Sequence, residues 1–109
     1  MSVTTARTES GASVSVRGEV DCSTAPRMRD CIDSLLAAAP RELVVDLTEV
    51  TFLDSAGLHA LVTARSRADE AGARLRVLVA TRAALRPIQV TGLWDVLGVE
   101  VVERSSGAA

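Results

Sequence analysis

The stretch Leu43–Val62 reads LVVDLTEVTFLDSAGLHALV. Leu43–Leu47 is a short β-branched run, expected as a strand buried on both faces. By Leu58 a helix is under way: Leu58, Leu61, Val62 and Ala68 fall on one stripe. That helix should run from about Ser55 to Ala71, with Gly72 as its C-terminal stop. Between strand and helix stand an acid, a hydroxyl and a glycine: Asp54, Ser55 and Gly57. Strand, short loop and helix in succession are the building unit of an α/β domain.

The flanks repeat the unit. Upstream, Ser13–Val20 alternates, with Val14, Val16 and Val20 on one face. Val3–Thr8 alternates weakly and is expected as a short first strand. A loop from Asp21 leads to a helix that Ser23 or Thr24 can cap, with Pro26 in its first turn. Met28, Cys31, Ile32, Leu35 and Leu36 form its stripe, and Pro40 ends it by Ala39. Downstream, Arg74–Ala80 is a strand and Thr81 caps a third helix. Pro87 should limit that helix unless it sits in the first turns. Val99–Val102 is the last strand. The order β-β-α-β-α-β-α-β predicts one α/β domain over residues 1–109, with a mostly parallel mixed sheet of about five strands and helices packed against it. Its core should span about 13–103, with a frayed tail at 104–109.

Composition narrows the function. Of the 109 residues, 48% are apolar, so a core can form. Phe52 and Trp94 are the only aromatics, so that core must be aliphatic. The chain has no lysine, tyrosine or asparagine, and every basic residue is arginine. A P-loop and a lysine Schiff base are therefore excluded. The net charge of −2 is spread along the chain, without the basic block or stacking aromatics of a nucleic-acid surface. No run is long enough for a membrane span, and MSVTTARTESG lacks the apolar segment of a signal peptide. A cytoplasmic protein with two reduced thiols, Cys22 and Cys31, is expected. One histidine, His59, and no CxxC leave little from which to build a zinc site, and no metal or cofactor is expected.

Ser55 admits three readings. As a helix cap, its oxygen would satisfy backbone N–H groups that lack partners, a task Asp54 can share. As a nucleophile, it would need His59, four residues on, as base. The sequence L-D-S-A-G is not the G-x-S-x-G elbow, however, and no acid is placed to orient the imidazole. As a phosphorylation site, it would exploit the affinity of a helix N-terminus for anions and add about −1.5 to −2 charges beside Asp54. A partner packed there would meet a buried, poorly paired charge. Local physics permits the switch without selecting it over the cap.

Three motifs in order carry a resemblance. VVDLTEVTFLDSAGLHALV resembles the central motif of STAS domains, specifically bacterial anti-sigma factor antagonists: a V-x-D-L strand, then F-[LIM]-D-S-[SA]-G-L. RGEVDCSTAP resembles their G-E-[LV]-D-x-x-[TS]-A, and LRPIQVTGLWDVLGV their segment ending [ST]-G-L. Together they cover about Val14 to Val102. The resemblance implies a STAS-like β-α superhelix and a binding module that is not an enzyme, a monomer or weak homodimer. It implies that Ser55 is phosphorylated by an anti-sigma factor with serine kinase activity, which the unmodified protein binds to release a sigma factor. A PP2C-type phosphatase would reverse the modification. Asp21, Thr24, Asp54, Ser55, Ala56, Gly57 and His59 would form the partner surface, with Asp21 orienting the hydroxyl or touching the kinase.

The chain departs from the family in three places. Ala56 replaces a common second serine, His59 replaces a common small residue, and the tail has no counterpart of the usual C-terminal helix. The alternative within the same fold is a regulatory subunit of a transporter, a lipid-trafficking ATPase or a stress-sensing scaffold. A two-component receiver using Asp46 is set aside, since it needs an acidic pair after the first strand and a lysine.

Overall fold

A computed structural model describes residues 1–9 and 11–103. The elements are β1 (Ser2–Arg7), β2 (Gly11–Val20), α1 (Ala25–Leu36), β3 (Glu42–Leu53), α2 (Ser55–Ala71), β4 (Arg74–Val79), α3 (Arg82–Val90), α4 (Trp94–Leu97) and β5 (Val99–Val101). They form a five-stranded sheet in the order β1-β2-β3-β4-β5. β1 and β2 are antiparallel, as a tight turn dictates. The other pairs are parallel, each joined by a helical crossover. The expected α/β architecture is therefore observed. The tail at 104–109 and the missing final helix lie outside the described residues.

The strands step across the sheet in sequence order, and right-handed crossovers in one direction place α1 and α2 on the same face. Burial follows. Val14, Val16, Leu43, Val45, Leu47, Val77 and Val79 are buried under the helices. Their alternates Ser13, Ser15, Val44, Asp46, Arg76 and Leu78 are only half-buried. This corrects the expectation that Leu43–Leu47 is covered on both sides. The open face carries an ion-pair ladder instead, with Arg76 on Glu100 at 2.9 Å and on Glu42 at 3.7 Å. From the helices, Met28, Ile32, Leu61 and Ile88 are fully buried, so the core is aliphatic as composition required. Phe52 is 46% exposed and Trp94 lies half-buried at the rim.

β3 runs six residues beyond the expected Leu47. Its extension pairs with β2 alone, because its pairing with β4 ends at Leu47↔Val79. The ladder passes from Ser15↔Asp46 to Arg17↔Glu49, and from Gly18↔Val50 to Glu19↔Phe52. At each step β3 carries one extra residue, a β-bulge. Asp46 Oδ1 accepts the Thr48 N–H at the first bulge, 2.9 Å away. That carboxylate is structural. Thr81 Oγ1 donates to Val50 O at 2.6 Å, satisfying a carbonyl on the extension beyond the last β3–β4 pair, and accepts from Ala84 N at the head of α3.

One helix expectation changes, and Pro87 falls under the exception that its own expectation allowed. Thr24 occupies the N-cap of α1 but its side chain does not cap; its hydroxyl accepts the Asp21 N–H at 2.8 Å and lies 3.0 Å from Glu19 O as donor. The Asp21 carbonyl serves the α1 terminus instead, accepting from Ala25 N at 2.7 Å. Pro87 sits in the second turn of α3 and the helix continues to Val90. The residue-87 position has no N–H to donate, but no downstream donor is lost: Thr91 N still bonds Pro87 O.

Candidate functional site

Parallel pairing of β2 and β3 brings their C-terminal ends together, with Val20 opposite Leu53. Each strand then turns directly into a helix. The N-termini of α1 and α2 therefore open on the same edge of the sheet, and the two sequence motifs that contain Asp21 and Ser55 meet there. A bond from Asp54 N to Val20 O, 3.2 Å, ties the two turns.

Asp54 is the cap of α2. Its Oδ1 accepts from Ala56 N at 2.9 Å and from Gly57 N at 3.2 Å. Ser55 occupies the first helical position, exposed, and its hydroxyl makes no hydrogen bond to any described residue. The cap and the free hydroxyl thus belong to adjacent residues. Gly57 is buried where α2 meets the sheet. A Cβ there would collide with the Leu53 side chain and stand 2.9 Å from Val20 Cγ1, so only glycine allows this close approach.

Asp21 builds the neighbouring turn. Its Oδ1 accepts from Ser23 Oγ at 2.7 Å, Ser23 N at 2.9 Å and Thr24 N at 3.1 Å. The Ser23 hydroxyl, then its backbone N–H, holds the Asp21 carboxyl below its ordinary value of 3.8. Asp21 therefore shapes its own loop and makes no bond to the Ser55 hydroxyl; orienting that hydroxyl is one of the two roles the resemblance implies for it, the other being contact with the kinase.

A groove of about 380 Å³ lies between the two helix starts. Ser55 and His59 line it from α2; Cys22 and Arg29 line it from the preceding loop and α1. Ala25, Pro26, Ala56 and Ala60 form its apolar lining, and the three alanines are small enough to let the helices converge. Of the expected site residues, Ser55, Ala56 and His59 meet in the groove. Asp54 and Gly57 belong to the α2 terminus and Asp21 and Thr24 to the turn before α1, and none of these four lines the groove. Sequence reasoning missed Cys22 and Arg29. Arg29 was legible as the residue one turn after Ala25, but nothing in the sequence says that this turn faces Ser55. Both cysteines are free thiols, and among the described residues no cluster of His, Cys, Asp or Glu could hold a metal. No helix among those residues is long and apolar enough to cross a membrane.

Comparison with known proteins identifies the family and agrees with the fold. Residues 3–101 match the family described as Mlab, STAS domain. The anti-sigma-F factor antagonist RsfB of Mycobacterium tuberculosis is 34% identical over 95 residues, covering 85% of this chain and 75% of RsfB. The anti-sigma-B factor antagonist of Listeria monocytogenes is 31% identical over 88 residues, covering 81% and 77%. The crystal structure of an anti-sigma factor antagonist from Mycobacterium paratuberculosis superposes with a TM-score of 0.82 at 30% identity, covering 98% of this chain and 89% of that one.

Proposed function

The chain belongs to the STAS domain family of anti-sigma factor antagonists, and we propose that it works as one, switched at Ser55. The unmodified protein binds an anti-sigma factor that is also a serine kinase, and a sigma factor is released. The kinase phosphorylates Ser55, the complex separates, and a PP2C-type phosphatase restores the binding form. Asp21, Thr24, Asp54, Ala56 and His59 surround the switch and meet the partner, while the buried Gly57 sets the close approach of α2 beneath them.

The observation that carries this reading is the exposed Ser55 hydroxyl with no hydrogen bond of its own, beside an Asp54 that already caps the helix. A phosphate on Ser55 leaves the cap intact and the core untouched, so it acts on binding and not on folding. It places about −1.5 to −2 charges on the partner-facing edge, where an interface must desolvate them. A free hydroxyl also favours this reading over a STAS subunit of a transporter or ATPase, which needs no modifiable serine.

The test uses variants of Ser55. Ser55→Ala should fold and stay bound to the cognate anti-sigma factor in the presence of ATP. Ser55→Asp should fold and bind roughly tenfold or more weakly. Mass spectrometry after incubation with that kinase and ATP should find one phosphate, on Ser55. A phosphate only on Ser23 or Thr24 would sink the assignment.

A further inference from the structure

We propose that Arg29 and His59 form a two-helix clamp that holds the phosphate once Ser55 carries it. The clamp rests on the switch at Ser55 and adds to it a reason for the modified state to persist.

Three observations lead to it. Arg29 lines the same groove as Ser55, from the opposite helix. It is half-buried, yet no carboxylate pairs with it among the described residues. The other described arginines divide cleanly: Arg17, Arg65, Arg67 and Arg76 are in ion pairs, while Arg7, Arg27, Arg41, Arg74, Arg82 and Arg86 are exposed. Among the described arginines, Arg29 alone is neither ion-paired nor exposed, so its guanidinium has no carboxylate to give up when an anion enters the groove. The carboxylates at this edge do not supply it. Asp54 Oδ1 is taken by Ala56 N and Gly57 N, and Asp21 Oδ1 by Ser23 and Thr24.

His59 completes the pair. It lies four residues after Ser55 on α2, where Cβ atoms stand about 5–6 Å apart. Helical side chains lean toward the N-terminus, so the imidazole leans toward Ser55. A phosphate on Ser55 would meet a guanidinium fork from α1 and an imidazole from α2. The fork matches two phosphate oxygens at once. The groups that line the groove around the phosphate are Arg29 from α1, His59 from α2 and the Cys22 thiol from the loop, with the Asp54 cap adjacent to Ser55 in the chain. The clamp ties the two helix starts together and covers the phosphorus, so it slows removal of the phosphate.

The test installs phosphoserine at position 55 during translation, which needs no kinase. Phosphorus NMR should show the second phosphate pKa below its ordinary value of about 6 by half a unit or more. Arg29→Gln should move it back toward the ordinary value by at least half of the shift, and Arg29→Lys should keep more of the shift than Arg29→Gln does. A purified PP2C-type phosphatase should release phosphate about threefold faster or more from Arg29→Gln. Unmodified Arg29→Gln should keep the wild-type denaturant midpoint, because it breaks no ion pair. Identical phosphate titration in wild type and Arg29→Gln, or equal release rates, overturns the clamp. Failure of the switch itself shows separately, as a kinase that leaves Ser55 unmodified.

Discussion

Gly57→Ala sets two forces against each other at the site. Helix propensity favours the change: alanine replaces glycine inside a helix, a gain of about 1 kcal/mol. Packing opposes it. The new Cβ would overlap the Leu53 side chain and stand 2.9 Å from Val20 Cγ1, where ordinary contact begins near 3.4 Å. Leu53 is 4% exposed and Val20 fully buried, so neither can turn into solvent. Val20 is also β-branched and stiff about χ1. Relief therefore requires α2 to lift from the sheet by a few tenths of an ångström or more. Overpacking of this kind costs about 1–3 kcal/mol, and lifting the helix stretches the Asp54 cap, worth about 1 kcal/mol more. The net expectation is a loss of about 1–3 kcal/mol, a fall in Tm of roughly 4–15 °C for a domain of this size. Thermal and urea unfolding measure it. A variant as stable as the parent, or more so, would show that propensity wins and that the close approach of α2 is slack.

Two further outcomes are expected. Asp54→Ala leaves Ala56 N and Gly57 N without their acceptor and should lower stability by about 1 kcal/mol in urea, while Asp54→Asn, which can also cap, should lose only a few tenths. Asp21 has its folded pKa depressed by Ser23, so its contribution is complete above the ordinary 3.8 and is lost as pH falls through the lower folded value. Asp21→Asn should accordingly flatten the acid limb of the stability profile below about pH 4, and an unchanged limb would show that the Ser23 bonds do not stabilise the fold.

The sequence alone determined the elements whose signals are local. Period-2 alternation in SVSVRGEV marked β2, RLRVLVA read as the strand β4, and the stripe ending at Gly72 marked α2 to its last residue. The aliphatic core followed from composition, and the three ordered motifs pointed to the family. What depends on strands meeting had to come from the tertiary structure. The β3 extension was illegible because each bulge inserts a residue and shifts the phase of alternation, so a continuous strand reads as a loop. The open face was illegible because a β-branched run looks the same whether one side or both are covered; strand order decided it. Thr24 has the chemistry of a cap, but its hydroxyl is claimed by Asp21 N and Glu19 O. The division of labour between Asp54 and Ser55 also awaited the structure, since either oxygen can reach the same N–H groups. Arg29 and Ser55 stand 26 positions apart in the chain. They share a groove only because β2 and β3 run parallel and release their helices at one edge, a long-range pairing that leaves no periodic trace in either segment.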